Sequence, residues 1–335
     1  MTRSLWRSAV VLAASGLAVT AFVTPTDAAP RTVKGPSVVE HLAADTTAEA
    51  RAVAAKWTPA AMRAAIPMDT LILDKAKKLT SKLAKGAPQV VRPSAAPGGG
   101  VSTQSFPNGG GAWTGGGAVT KTIGRVFFTF QGRKASCSGD AVTSGNKSVV
   151  LTAGHCVKLE GAFHTDWVFV PGYNNGNAPF GTWTARSTMS TPQWVATEDI
   201  NFDVGAAVVN TLNGQRLTDV VGSQGVAFNQ ARGQRMYAFG YPAAAPYDGT
   251  KLIYCSGTVI NDFLLSNDIG MSCNMTGGAS GGPWFLSFNE GTATGVQNSI
   301  NSFRYQILGL IDPGFMFGPY FGADAQNLYN AASAA

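Results

Sequence analysis

From residue 118 onward, the chain consists of short β-branched and aromatic runs separated by Gly, Asn and Pro. These runs include residues 126–130, 148–152, 167–170, 204–209, 236–239, 283–287 and 292–296. Runs of this length suit strands, and their regular spacing predicts an all-β domain, an antiparallel sandwich or barrel, over residues 118–335. The last helix is expected near residues 324–332.

Charge is distributed unevenly along the 335 residues. Residues 1–117 contain 13 Lys or Arg and 6 Asp or Glu, a net charge of +7, whereas the remainder contains 12 and 13, a net charge of −1. A domain that binds nucleic acid would carry a basic patch on its folded surface. The distribution therefore argues against a nucleic-acid partner.

Residues 1–29 have the layout of a secretory signal peptide. Arg3 and Arg7 precede an apolar run over residues 9–23, and small residues follow at Ala28 and Ala29. The run is shorter than the roughly 20 residues of a membrane span, although an uncleaved anchor is the alternative. We expect a secreted, extracellular protein that has left the membrane after cleavage. Its four cysteines are expected to pair in that oxidising environment.

Residues 30–85 are predicted to form a helical propeptide, with a poorly ordered Ala- and Lys-rich tail as the alternative. Thr46 and Glu49 form a capping box before an Ala-rich helix, and Pro59 after Thr58 starts a second helix. A third helical pattern places four apolar residues on one side: Leu71, Ile72, Leu79 and Leu83. Residues 86–117, with three Gly triplets, are predicted to be a flexible linker in which processing takes place.

Three motifs carry groups suited to nucleophilic catalysis: residues 151–156 with His155, residues 201–205 with Asp203, and residues 277–283 with Ser280. A serine hydroxyl becomes a useful nucleophile when a histidine accepts its proton and a carboxylate holds that histidine in one tautomer. Asp203 begins an apolar strand, where a buried carboxylate needs a partner. The motifs predict a triad of general base His155, orienting Asp203 and nucleophile Ser280.

These residues also fit other interpretations, each of which the sequence disfavours. Asp199 is the rival of Asp203, but it lies in a more polar stretch. Residues 278–282 match the G-x-S-x-G pattern of esterases, yet that fold needs a histidine after the serine and none follows His164. A metalloprotease is disfavoured because the chain has no H-E-x-x-H motif. No metal or organic cofactor is expected.

The order His, Asp, Ser, with these surrounding sequences, resembles the chymotrypsin-fold serine endopeptidases. The bacterial secreted glutamyl-endopeptidase-like branch is the most similar. The resemblance covers residues 118–335 and implies two six-stranded antiparallel β-barrels, a cleft between them that holds the active site, and a C-terminal helix. It implies that polypeptide substrates are hydrolysed through an acyl-enzyme intermediate, with His155 and Asp203 on the first barrel and Ser280 on the second.

The resemblance also implies the roles of several other residues. The backbone N–H groups of Gly278 and Ser280 would form the oxyanion hole. Four cysteines permit three pairings, and the family favours two of the possible bonds: Cys137 with Cys156, and Cys255 with Cys273. Ala279 replaces the acidic residue that normally captures a new amino terminus, so activation by that ion pair is not expected. The propeptide is expected to act in cis as a cleavable inhibitor or folding aid.

The residues of the specificity pocket follow from the same resemblance. Asn274, six residues before the nucleophile, occupies the pocket floor, where cleavage after Lys or Arg would need an acid. The glutamyl enzymes use a histidine on the next strand, where this chain has Gln297 and Asn298. We therefore expect no strong preference for cleavage after Lys or Arg, and no strong preference of the glutamyl type.

A catalytically silent binding protein on the same fold is the alternative function. A further alternative is that the chain is a cell-wall-associated or toxin-like protease with a specific target. The protein is expected to be a monomer.

Overall fold

The computed structural model describes residues 32–34, 38–68, 71–73, 81–94, 104–307, 310–311 and 314–335. The α-helices are α1 (Thr47–Lys56), α2 (Pro59–Ala64), α3 (Val119–Thr122), α4 (Pro192–Thr197), α5 (Leu217–Val221) and α6 (Ala323–Ala334). Short 3₁₀ turns cover Gly154–Cys156 and Ile200–Phe202. No helix in these ranges is long and apolar enough to cross a membrane.

Strands dominate the described part of the chain. The first fourteen are β1 (Thr32–Lys34), β2 (Val39–Leu42), β3 (Ile66–Pro67), β4 (Leu71–Leu73), β5 (Gln89–Val91), β6 (Asn108–Ala112), β7 (Ile123–Phe130), β8 (Arg133–Ala141), β9 (Val149–Thr152), β10 (Lys158–Leu159), β11 (Ala162–Phe163), β12 (Thr165–Pro171), β13 (Trp183–Ser190) and β14 (Gly205–Val209). The others are β15 (Gly225–Phe228), β16 (Arg235–Gly240), β17 (Ile253–Thr258), β18 (Ile260–Asn261), β19 (Ile269–Ser272), β20 (Pro283–Asn289), β21 (Thr294–Ile300), β22 (Phe303–Ile307), β23 (Leu310–Ile311) and β24 (Phe315–Gly318).

Six antiparallel strands close into the first barrel. Their order is β13-β12-β7-β8-β9-β14, and β14 pairs back to β13. Apolar side chains from alternate positions fill the interior, among them Val126, Phe128, Leu151, Phe169 and Val208. Burying these side chains supplies the main force that holds the barrel together. The first predicted barrel is thereby confirmed.

The second half of the domain divides its strands between two sheets. One sheet has the order β5-β15-β21-β20-β16-β17-β6, and the other has the order β18-β19-β24-β22-β23. A disulfide between Cys255 of β17 and Cys273, directly after β19, joins the two sheets. The predicted all-β, double-barrel class is confirmed, but among the described residues of the second half the strand pairings do not form one continuous ring.

The C-terminal helix α6 is confirmed and lies against the first barrel. Its buried residues Leu328 and Ala332 belong to the same core as β9 and β14. The Tyr329 hydroxyl donates to the carbonyl of Thr143 at 2.6 Å. The helix therefore packs against the outside of strands that form the first core.

The leader agrees with the sequence in its first two helices. The Thr46 hydroxyl accepts from the Glu49 N–H at 3.2 Å, and the Glu49 carboxylate accepts from the Thr46 N–H at 3.0 Å. Thr58 caps α2 in the same way at 3.2 Å. The signal-peptide residues, and Leu79 of the third pattern, lie outside the described residues.

The prediction of a third helix is wrong at residues 71–73. Leu71–Leu73 form strand β4, which pairs in parallel with Phe303–Tyr305 of β22, and Leu83 lies outside any helix or strand. The predicted linker also contains two strands, since β5 pairs with β15 and β6 pairs with β17. Unpaired strand edges accept extended segments of almost any composition, so tertiary pairing overrides local pattern here.

Candidate active site

The turn Gly154–Cys156, one residue after β9, carries His155, and Asp203 lies two residues before the start of β14. Because β9 and β14 are paired neighbours, the two side chains meet at one end of the first barrel. Asp203 Oδ2 lies 2.8 Å from His155 Nδ1, and Asp203 Oδ1 accepts from the His155 backbone N–H at 2.7 Å. A carboxylate in this position holds the imidazole with its proton on Nδ1 and leaves Nε2 able to accept a proton.

Asp203 has a third partner that the sequence motifs did not reveal. The hydroxyl of Ser302, at the start of the segment leading into β22, donates to Asp203 Oδ2 at 2.6 Å. Asp203 and Ser302 are both fully buried. A buried carboxylate is tolerated only when several donors surround it. Three donors, two from His155 and one from Ser302, therefore hold Asp203.

The rival carboxylate Asp199 is engaged elsewhere. Its side chain caps the turn at Ile200–Phe202 by accepting from the N–H of Asn201 at 3.1 Å and from the Asn201 side-chain amide at 2.8 Å. It also accepts from Ser81. Asp203, and not Asp199, is the carboxylate that contacts His155.

The serine loop depends on two glycines in left-handed backbone conformations, Gly278 with φ +94° and Gly281 with φ +78°. A Cβ atom on Gly281 would lie 2.1 Å from Thr152 Oγ1 and 2.8 Å from the backbone nitrogen of Ala153. No side chain fits at that distance. The loop that carries Ser280 therefore packs directly against the segment that leads to His155.

Hydrogen bonds from both halves of the domain hold the serine loop. Ser138 of β8 donates its N–H to the Ser280 carbonyl at 2.8 Å and its hydroxyl to the Gly278 carbonyl at 2.9 Å. The Asn301 side chain donates to the carbonyl of Ala279 at 3.0 Å and accepts from the indole of Trp284 at 2.8 Å. Asn301 and Ser302 were missed by sequence reasoning because neither lies in a recognisable motif.

The candidate proton acceptor, His155 Nε2, and the candidate nucleophile, Ser280 Oγ, are both buried. Within the described ranges neither atom has a hydrogen-bond partner, and both residues are fully covered. Unpaired buried polar atoms are rare in folded proteins and mark places where an interaction is completed by something else. Within the described residues the two atoms are therefore not hydrogen-bonded to each other either.

His164 contacts the backbone of His155. Its Nε2 lies 2.9 Å from the His155 carbonyl oxygen, so Nε2 carries a proton and donates. The ring stacks on Phe128 with centroids 4.3 Å apart. Burial lowers the pKa of His164 to about 4, which keeps it neutral. It acts as a structural residue.

The three residues predicted for the specificity pocket have different surroundings. Asn274 is exposed, and its Oδ1 accepts from the Tyr247 hydroxyl at 2.6 Å. Gln297 is fully buried, and Asn298 donates to the Ala227 carbonyl at 2.7 Å. Among the described residues no hydrogen bond joins Asn274 to either of them.

A buried cation lies beside Asn274. The Arg304 guanidinium donates to the carbonyl of Cys273 at 2.9 Å and to that of Met275. These two carbonyls flank Asn274 in the chain. The sequence motifs do not reveal Arg304, because it lies in β22, outside all three of them.

Within the described residues, the tightest cluster of possible metal ligands is Cys137, His155 and Cys156. Its two cysteines are joined to each other by a disulfide, so neither offers a thiolate. The cluster does not have the donor set of a metal site. The second disulfide joins Cys255 to Cys273, and both bonds match the pairing that the family resemblance favours.

No protein-family model matches the chain. Among curated proteins it is 33% identical over 75 residues to an extracellular metalloprotease of Bacillus subtilis (strain 168). That match spans 22% of this chain and 23% of the relative, so the chain covers about a quarter of that protein's length.

Solved structures show longer similarity. Protease Anisep from Arthrobacter nicotinovorans is 46% identical, with a TM-score of 0.61, over 68% of this chain and 100% of its own. The thermostable serine protease AL20 from an extremophilic microorganism is 43% identical, with a TM-score of 0.61, over 65% of this chain and 99% of its own. A Glu endopeptidase, at 18% identity and a TM-score of 0.52 over 69% of this chain and 99% of its own, shares the fold. The chain is a serine-type peptidase and belongs to the chymotrypsin-fold serine proteases.

Proposed function

We propose that this protein is a secreted serine endopeptidase in which His155, Asp203 and Ser280 form the catalytic triad. The observation that carries the proposal is the 2.8 Å contact between His155 Nδ1 and Asp203 Oδ2, completed by the Ser302 hydroxyl. This arrangement leaves His155 Nε2 as the proton acceptor. The close packing of Gly281 against Ala153 supports the proposal, because the serine loop lies against the segment that leads to His155.

In the proposed mechanism, Ser280 Oγ attacks the substrate carbonyl while its proton passes to His155 Nε2. Asp203 stabilises the imidazolium that forms. The N–H groups of Gly278 and Ser280 bind the developing oxyanion, and losing one such donor costs about 3 kcal/mol of transition-state stabilisation. His155 then protonates the leaving amine, and a water molecule activated by the same histidine hydrolyses the acyl-enzyme.

The remaining assignments belong to the same proposal. Residues 1–29 act as a signal peptide, residues 30–85 as a propeptide, residues 86–117 as the region of processing, and residues 118–335 as the catalytic domain. The two disulfides support an oxidising, extracellular destination. We place the enzyme near the glutamyl-endopeptidase-like branch without assigning its preferred cleavage residue.

An active-site serine probe tests this function. The processed protein is expected to react with a fluorophosphonate and to cleave a mixed peptide library, whereas Ser280→Ala is expected to lose both activities. Ser299→Ala is a matched control, because the Ser299 hydroxyl is equally buried but donates to the Pro319 carbonyl at 2.9 Å. If Ser280→Ala cleaves peptides as fast as wild type, the nucleophile assignment is wrong. Absence of cleavage by the wild type would favour the silent binding protein.

A further inference from the structure

The oxyanion donor proposed at Gly278 is already engaged by the leader. The Gly278 N–H donates a 2.7 Å hydrogen bond to the carbonyl oxygen of Met68. A backbone N–H points in one direction and carries one proton, so it cannot serve a substrate carbonyl at the same time. The leader therefore occupies a position that catalysis requires.

The residues before this contact are attached to the first barrel. Ile66 and Pro67 pair in parallel with Ala135 and Ser136 of β8, and the Met68 N–H donates to the Ser136 carbonyl at 2.8 Å. Strand β8 continues to Ser138, which holds the serine loop. The pairing places the leader directly beside the nucleophile.

The residues after the contact are attached to the second half. Leu71–Leu73 pair in parallel with Phe303–Tyr305, and this strand follows immediately after Ser302, the donor to Asp203. Main-chain pairing of an added strand gives affinity without needing a particular side-chain sequence. The leader is thus bound by main-chain hydrogen bonds on both sides of the triad.

The covered site contains the two reactive side chains. His155 and Ser280 have no exposed surface, and the part of the Met68 side chain that is buried packs against the first-barrel core. A polypeptide substrate needs contact with Ser280 Oγ and with Gly278 at once. With Met68 in place it reaches neither.

The same geometry indicates why the leader is not simply a substrate. Among the described residues the Met68 carbonyl accepts from Gly278, whereas the Ser280 N–H makes no backbone hydrogen bond to it. Stabilising a tetrahedral intermediate requires donors directed at the position of the oxyanion. A carbonyl held by one donor is positioned for binding and is not activated for cleavage.

We propose that the intact chain is latent because Met68 and its paired flanks, Ile66–Pro67 and Leu71–Leu73, form a plug across the active site that binds without being cleaved. This inference rests on the proposed function. This mechanism of latency differs from one in which a new amino terminus must form an ion pair, because here the leader itself occupies the N–H that would bind the oxyanion. Activation then requires cutting the chain elsewhere and releasing the plug.

The test uses the full chain and the rate of fluorophosphonate labelling at Ser280. Met68→Pro removes the N–H that donates to Ser136 and is expected to label at least about tenfold faster than intact wild type. Met68→Leu keeps the N–H, the carbonyl and an apolar side chain, and is expected to remain latent. Ile72→Pro disturbs the other flank and is expected to behave like Met68→Pro, so the test does not depend on one variant folding.

A peptide of residues 60–75 provides the rescue. Added to the Met68→Pro chain, it is expected to restore slow labelling, while the same peptide carrying Met68→Pro and Ile72→Pro, which lacks two of the backbone N–H groups, is not. The proposal is overturned if intact wild type labels as fast as the processed enzyme, if Met68→Pro and Ile72→Pro both stay at the wild-type rate, or if mass spectrometry finds self-cleavage after Met68. Failure of the processed wild type to label would instead refute the triad itself.

Discussion

The Ser302 hydroxyl and His155 Nδ1 share one oxygen of Asp203, at 2.6 Å and 2.8 Å. The shared oxygen joins the first barrel to the segment that leads directly into β22. Ser302 thereby holds the orientation of the carboxylate against which His155 is aligned. We therefore expect catalysis to slow when the Ser302 hydroxyl is removed.

Ser302→Ala is expected to lower kcat by about 30-fold with little change in KM. A hydrogen bond to a charged group contributes about 2 kcal/mol, and here the loss falls on positioning of the triad rather than on substrate binding. Steady-state kinetics on the processed enzyme measure the effect. The control Ser299→Ala should retain the wild-type kcat, and an equal fall in both variants would show that only packing had been lost.

Stability is expected to fall between pH 6.5 and pH 4 because of His164. Burial lowers its pKa from 6.5 to about 4, so in this window the unfolded chain binds a proton that the folded chain does not. Neutral His164 thus contributes about 3 kcal/mol to the free energy of unfolding above pH 6.5. This contribution is lost as the pH falls towards 4. Urea unfolding of wild type and His164→Gln measures it. Parallel stability curves for the two proteins over this range would contradict the assignment.

Asp268→Asn is expected to stabilise the protein at pH 7. Burial is the main cause that raises the pKa of Asp268 well above its usual value of 3.8. The negative charges of Asp262, Asp203 and Asp199 raise this pKa further, and the positive charge of Arg232 opposes them. As the pH rises above 3.8 the unfolded chain releases a proton that the folded chain keeps, so stability decreases.

The gain should be at least about 1 kcal/mol at pH 7 and should disappear below pH 4. Thermal unfolding at both pH values checks this expectation. Asp219→Asn is the control, because Asp219 forms an exposed ion pair with Lys147 at 2.7 Å and should change stability little at either pH. A destabilised Asp268→Asn variant at pH 7 would show that the carboxylate has a partner in solution.

Removing either disulfide is expected to cost about 3 kcal/mol of unfolding free energy, since each closes a loop of similar length, 19 and 18 residues. The Cys137→Ala/Cys156→Ala double variant should also lower kcat, because Cys156 adjoins His155. Cys255→Ala/Cys273→Ala should affect stability more than kcat. Urea unfolding and steady-state kinetics separate the two effects, and equal losses of kcat would contradict this difference.

Local sequence was sufficient for the elements whose formation depends on near neighbours. The capping box at Thr46 and Glu49, the proline-started helix α2, the strands of the first barrel and helix α6 all follow from short-range patterns. The motifs around His155, Asp203 and Ser280 could be found in the same way, because the order of these residues along the chain restricts which fold can bring them together.

Contacts between distant residues were decided only by the tertiary structure. Leu71–Leu73 has a helical pattern but forms a strand, because an unpaired edge at Phe303–Tyr305 offers backbone partners that the isolated segment lacks. The Ser302 bond to Asp203 and the Met68 bond to Gly278 span 99 and 210 positions. No periodicity encodes such pairs. They exist because folding brings the edges of two sheets, the serine loop and the leader to one place.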